Sequence, residues 1–274
     1  MEPVEFWKMN GSGNDFILID NRNGAIGEEI MGHLVEKICR RRVSAGADGV
    51  IFVIPSTEYD FGWRFFNADG GEVEMCGNGG RCVSRFAFLK QIAGSTMTFE
   101  TLAGPVSAEV SGRRVKILMP KPGPIDTDLD LEFFSGWTHC DFVNTGVPHV
   151  VIGVKDLQNH PVVEQGQRIR YHEQFSPEGT NVNFMVRRGP DRLAVRTYER
   201  GVEDETLACG TGAIATALTA LKRDMVTTPI SIETRGGEVL NIHVQQTSDE
   251  INAVWLEGNT AIAYQAVLHD EAFK

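Results

Sequence analysis

Apolar positions along the chain fall into two kinds of pattern. Short runs, Val50-Ile-Phe-Val-Ile54 and Val115-Lys-Ile-Leu-Met119, predict strands. Ile30, Leu34 and Ile38 are at helical spacing and predict a surface helix running to Arg42. Ser84 to Ile92 and Ala213 to Leu221 are rich in apolar and small residues and contain no proline. Each predicts a helix that begins just after a Cys-Gly pair. The second carries no charge until Lys222, so it is expected to be buried all round.

These elements recur. Cys76-Gly77-Asn-Gly79 and Cys209-Gly210-Thr-Gly212 are alike and lie 133 positions apart. On the same offset, Glu72 matches Glu205, Glu100-Thr101 matches Glu233-Thr234, and Gly46-Ala-Asp48 matches Gly179-Thr-Asn181. Several separated matches on one offset point to an internal duplication. The densest breaker cluster, Pro120-Lys-Pro122-Gly-Pro124, marks the join. Two halves follow: residues 1–119 with Cys76, and residues 120–263 with Cys209. Segment 264–274 is expected to pack on the first half. The fold class is α+β.

Composition narrows the function. The 274 residues are 42% hydrophobic and 23% charged, as in folded domains. Lys+Arg 26 against Asp+Glu 37 leaves a net charge of −11, which argues against partners with a phosphate backbone or an anionic membrane. Met1-Glu-Pro-Val-Glu5 has neither the basic nor the apolar region of a signal peptide, so a cytoplasmic location is expected. Five cysteines at irregular spacing argue against a disulfide framework, and Cys76 and Cys82 lack metal-site spacing.

A cysteine at a helix start lies beside unpaired backbone N–H groups and the positive end of the helix dipole. Both are expected to lower its pKa. The same N–H groups, at Gly77-Asn78 and Gly210-Thr211, can hold a carboxylate. Glycines let the backbone approach a ligand closely. In a duplicated fold the two thiols are expected to approach one ligand from opposite sides of a cleft, as inversion at carbon requires. Cys39, Cys82 and Cys140 read as small buried apolar residues. A dinucleotide fingerprint at Gly210-Thr-Gly212 is disfavoured by the acidic segment before it. A Cys–His nucleophile using His149 does not explain why the turn occurs twice.

Over nearly its whole length the chain resembles the diaminopimelate epimerase family. Met9-Asn-Gly-Ser-Gly-Asn-Asp-Phe16 is similar to its opening signature. Phe66-Asn67-Ala-Asp-Gly70 with Glu74-Met-Cys76-Gly-Asn-Gly-Gly-Arg-Cys82 resembles its first cysteine motif. Glu199-Arg200-Gly201 with Thr206-Leu-Ala-Cys209-Gly-Thr-Gly-Ala213 resembles its second. The resemblance implies two pseudo-symmetric domains, each a mixed sheet curled around a central helix. It implies inversion of one α-carbon of LL-2,6-diaminoheptanedioate to the meso isomer, for lysine and peptidoglycan synthesis. No cofactor or metal is implied, and a homodimer is.

By the same resemblance Cys209 takes the α-proton from the LL isomer and Cys76 delivers one. His149 and Glu199 match the acid/base neighbours of the cysteines. Asn14, Asn67, Asn181, Glu199 and Arg200 match substrate contacts, Arg200 as the partner of a carboxylate. Three places depart from the pattern. Gly49 stands where some members have a substrate-contacting Gln, Val147 where some have Asn, and the loop Gly201-Val-Glu-Asp204 is one residue longer. A racemase of proline or glutamate, or a thiol-redox protein on the same fold, is the alternative.

Overall fold

Short β-branched and aromatic runs, cut by glycine turns, form most of the structure. It is a computed structural model that describes residues 3–131, 136–247 and 250–273. Met1, Glu2 and Lys274, part of the terminal readings above, lie outside the described residues. Backbone contacts divide the chain into two units: Met1–Ile117 with Gly258–Lys274, and Leu118–Glu257.

The first unit contains, in order, β1 (Val4–Gly11), β2 (Asn14–Asp20), α1 (Glu28–Ile38), β3 (Gly49–Ile54), β4 (Phe61–Asn67), α2 (Gly77–Leu89), β5 (Thr96–Thr101), β6 (Gly104–Ser111) and β7 (Arg114–Met119). Strand pairs β1–β2, β3–β4, β5–β6 and β6–β7 are antiparallel; β2–β3 and β4–β5 are parallel. The mixed sheet is curled, because α2 touches strands from both of its ends: β1, β2, β3 and β6.

The second unit repeats the plan with β8 (Ile125–Asp126), β9 (Trp137–Asn144), β10 (Pro148–Val154), α3 (Val162–Arg170), β11 (Asn181–Arg187), β12 (Arg192–Glu199), β13 (Asp204–Thr206), α4 (Gly210–Lys222), β14 (Ile230–Glu233), β15 (Val239–Thr247) and β16 (Glu250–Asn259). Its parallel pairs, β10–β11 and β12–β14, correspond to those of the first unit. Helix α4 touches β9, β10, β11, β12, β14 and β15. Helices α2 and α4 are both 13 residues long and start 133 positions apart. The last strand, β17 (Ala261–Leu268), pairs antiparallel with β1, and Leu268 enters the core beneath α1.

Alternation within strands separates two faces in the second unit. Val150, Ile152, Val182, Phe184 and Tyr198 pack with Val162 and Ile169 of α3. The intervening residues, His149, Asn183 and Thr197, are buried on the opposite face, the side of the sheet that α4 covers.

Some boundaries differ from expectation. Helix α1 stops at Ile38, with Cys39 as its cap, and Arg42 has a φ of 70°, so the helix does not reach Arg42. Its inward face is Met31, Leu34, Val35 and Ile38, while Ile30 is exposed. Helix α2 begins at Gly77, at the Cys-Gly pair as expected, capped by Cys76 and carrying three glycines of low helix propensity, and it ends at Leu89 rather than Ile92. Helix α4 likewise begins at its Cys-Gly pair, at Gly210, and runs to Lys222. Residues Gly212 to Ala220 are buried, as the uncharged run requires.

Candidate active site

Cys76 and Cys209 occupy the same station. Each is the residue before the first turn of its central helix, in extended conformation. Each is half-buried and outside any disulfide. The backbone N–H of Gly79 donates to Cys76 Sγ at 3.5 Å. Cys209 Sγ lies 3.5 Å from the Thr211 hydroxyl. The duplicated glutamates four residues earlier anchor these stations through arginine pairs. Glu72 pairs with Arg64 of β4, and Glu205 makes a two-pronged pair with Arg196 of β12 at 2.6 Å for both contacts. Bidentate pairs of this geometry hold a turn against its strand.

Around Cys76 the polar groups form one directed chain. Arg81 donates to Asn78 Oδ1 at 2.8 Å, Asn78 Nδ2 donates to Asn14 Oδ1 at 2.6 Å, and Asn14 Nδ2 donates to Asp48 Oδ2 at 3.2 Å. A guanidinium only donates and a carboxylate only accepts, so both asparagine amides are fixed in direction. Asp48 is held by Arg41 at 2.7 Å. The neighbouring Asp15 falls to about 2: burial raises it, but hydrogen bonds from Arg41 and Lys8 outweigh that. Gly77 opens the helix. Asn67 is exposed at the end of β4, where its N–H closes a turn to Gly71.

In the second unit Gly210 and Thr211 follow Cys209 and the Glu199 charge acts on its sulfur, while Arg200 bonds Asn181 and acts on the His149 ring. Asn181 is largely committed to the fold: Oδ1 accepts from the Arg200 N–H at 2.9 Å, and Nδ2 donates to Pro148 O at 3.0 Å. The Arg200 guanidinium donates to Glu178 O at 3.2 Å. Glu199 is raised above its usual range by burial. His149, fully buried, is pushed down to about 3 by burial and by the charge of Arg200, so its ring is neutral at pH 7.

The thiol of Cys209 departs from expectation. Burial first, and the Glu199 carboxylate second, push it up to about 12. The Thr211 hydroxyl and the N–H groups of Gly212 and Thr211 pull it down, but not enough. The helix terminus acts as expected and is outweighed, so resting Cys209 is a thiol. Alkylation by iodoacetamide, followed by mass spectrometry across pH, should therefore keep accelerating at Cys209 above the ordinary thiol range of about 8.5. Glu199→Gln removes a negative charge and should shift that curve to lower pH. A plateau near neutrality in the unaltered protein contradicts this account.

The three departures acquire local causes. A Cβ on Gly49 would stand 2.6 Å from Phe66 O and 2.7 Å from the Phe65 ring, which excludes any side chain there. Val147 lends only its carbonyl, which accepts from the Thr145 N–H at 3.1 Å. The loop Gly201-Val-Glu-Asp204 is pinned by Glu203, which pairs with Arg170 of α3 at 3.2 Å.

Sequence reasoning missed Ser12, Asp48, Arg81, Thr145, Asn183 and Thr197. Thr145 donates to Thr211 O at 3.1 Å and tethers the start of α4. The available signal was a polar residue inside an apolar run, as in Val182-Asn183-Phe184. Cys39, Cys82 and Cys140 are buried. Among the described residues no group of three or more His, Cys, Asp or Glu is gathered as a metal-ligand set. No helix among them is long and apolar enough to cross a membrane.

Comparison with known proteins adds to this geometry. The family model described as diaminopimelate epimerase matches residues 6–122 and 142–260. The diaminopimelate epimerase of Aquifex aeolicus is 43% identical, over 99% of this chain and 100% of the relative. That of Archaeoglobus fulgidus is 41% identical over 97% and 96%. Among solved structures, a phenazine biosynthesis protein of the PhzF family from Enterococcus faecalis aligns with a TM-score of 0.73 at 13% identity, covering 97% of this chain and 99% of that one. A hydroxyproline epimerase from Agrobacterium vitis, with bound trans-4-hydroxy-L-proline, aligns with a TM-score of 0.67 at 15% identity, covering 98% and 93%. These two likenesses concern the fold.

Proposed function

The chain belongs to the diaminopimelate epimerase family, and from that premise we propose that it inverts one α-carbon of LL-2,6-diaminoheptanedioate to the meso isomer with Cys76 and Cys209 as a two-base pair. It is an enzyme, an isomerase. The observation that carries the thiol mechanism is the shared station of the two cysteines, each capping a 13-residue central helix.

The α-hydrogen of an amino acid is a weak acid, so the site must stabilise charge developing on the α-carboxylate. Backbone N–H groups of Gly77, Asn78, Gly210 and Thr211, at two helix starts, suit that task. In the LL-to-meso direction the Cys209 thiolate takes the α-proton: a C–H bond breaks and an S–H bond forms. The Cys76 thiol gives its proton to the opposite face of the same carbon. The thiols finish with protonation exchanged, and proton exchange with solvent resets them. Resting Cys209 is protonated, so it must first release its proton. We assign Glu199, raised by burial and with its charge acting on that sulfur, as the acceptor of that proton. No cofactor enters this scheme. Arg200, with Asn67 and Asn181, suits the second charged head group of the substrate. The reading carries with it a cytoplasmic role in lysine and peptidoglycan synthesis, and a homodimer.

Incubation of the LL isomer with the protein in deuterated water should yield meso product carrying deuterium at the inverted α-carbon. Product without deuterium would defeat the two-base scheme. A substrate panel separates the alternative: faster turnover of proline or glutamate would overturn the assigned substrate while leaving the thiol pair intact.

A further inference from the structure

We propose that Asn183 is a positioning residue that holds His149 in the tautomer with its proton on Nε2. The inference rests on the epimerase reading, in which His149 serves the reacting groups, and it adds a residue that the motifs do not contain.

The geometry leaves one arrangement. His149 and Asn183 are 0% exposed and Thr197 is 2% exposed, so water does not compete for their hydrogen bonds. Asn183 Nδ2 lies 2.9 Å from Val150 O. A carbonyl only accepts, so this end of the amide is the nitrogen. The other end, Oδ1, accepts from the Thr197 hydroxyl at 2.9 Å, across the β11–β12 register in which Asn183 and Thr197 are partners. The second hydrogen of Nδ2 then meets His149 Nδ1 at 3.1 Å. His149 Nδ1 must accept it, which puts the proton of the neutral ring on Nε2.

That Nε2 is buried and has no hydrogen-bond partner among the described residues. A buried donor left unspent is uncommon in folded proteins and suits a group that waits for an acceptor. The network also reaches the thiol of this unit. Asn183 Oδ1 occupies the space a Cβ on Gly212 would need, and Cys209 Sγ stands 3.3 Å from that same point. Asn183 therefore lies under the first turn of α4, beside the sulfur and against the histidine. The charged group acting on the His149 ring is Arg200, whose positive charge favours the neutral ring. A neutral ring with a fixed Nε2–H can donate to a carboxylate or a thiolate, and the opposite tautomer cannot.

Nitrogen-15 NMR of the full-length protein labelled at histidine reads the tautomer directly. His149, identified by loss of its signals in His149→Gln, should show a pyridine-type Nδ1 and a pyrrole-type, protonated Nε2. Asn183→Asp replaces the amide donor with an acceptor and should move the proton to Nδ1. It should also lower kcat by roughly 10²-fold or more, the scale of a displaced acid/base group, with KM changed by less than about threefold. Thr197→Val leaves Val150 to orient the amide and should keep the wild-type tautomer. A wild-type ring protonated on Nδ1 overturns the proposal, and that measurement needs no variant to fold. So does an Asn183→Asp protein that loses kcat with an unchanged ring. If the ring is as proposed but the LL isomer is not turned over, the epimerase reading fails instead.

Discussion

Cys209→Ser and Cys76→Ser each remain folded and convert the LL isomer to the meso isomer at least about 10²-fold more slowly than the unaltered protein, the scale on which an acid/base group contributes. The substitution exchanges one atom at a helix cap, and serine is itself a favoured capping residue, so stability should not fall. A hydroxyl does not ionise near neutral pH, and it cannot replace a thiolate as base. The two variants should differ in direction. In a single turnover from LL, the variant lacking the base keeps the α-hydrogen. The variant lacking only the donor can exchange it for deuterium without inversion. Mass spectrometry of recovered substrate, with chiral separation, distinguishes the two. If either variant turns over at the wild-type rate with the other cysteine intact, the two-thiol scheme is wrong.

Gly212→Ala should destabilise the protein by about 1–3 kcal/mol, as overpacking in a fitted interior does. Helix propensity alone predicts the reverse, since alanine in place of glycine gains up to about 1 kcal/mol. The steric term decides the sign, because the new Cβ would overlap Asn183 Oδ1, which Thr197 and Val150 hold in place. The equivalent substitution 133 positions earlier is the control. A Cβ on Gly79 would meet the tip of Ile51 at 3.1 Å, a flexible end that can give way. Thermal unfolding of the two variants should place Gly212→Ala well below Gly79→Ala. Equal midpoints would show that Asn183 is free to move.

The duplication was legible because its matches share one offset and involve glycine, cysteine and glutamate, whose roles are local. The strands at Val50–Ile54 and Val115–Met119 were legible for the same reason: β-branched runs need no distant partner to be recognised. On α1, Leu34 and Ile38 turn inward as their spacing predicts, but Ile30 gives way to Met31, because the two are equally apolar and only the core beneath shows which one turns in. The starts of α2 and α4 were legible at the two Cys-Gly pairs, and the surrounding sheet holds a first turn whose glycines favour no helix by themselves. The thiol of Cys209 was read in the wrong direction. The helix terminus is visible in sequence, but the burial of the sulfur and the nearness of Glu199 are products of the fold. Asn183 and Arg81 were overlooked because their partners lie across strands or in the N-terminal turn. Thr197 is 14 residues from Asn183, and Ser12 is 69 from Arg81.

The pairing of β17 with β1 has a consequence for biosynthesis. All strands that pair within Leu118–Glu257 lie in one continuous stretch, so the ribosome delivers that unit whole. The unit that is begun first is finished last: the outer edge of β1 stays open until Ala261–Leu268 has emerged. An open strand edge is a template for unwanted pairing. Vectorial synthesis therefore leaves the nascent N-terminal sheet exposed for the time it takes to translate most of the chain.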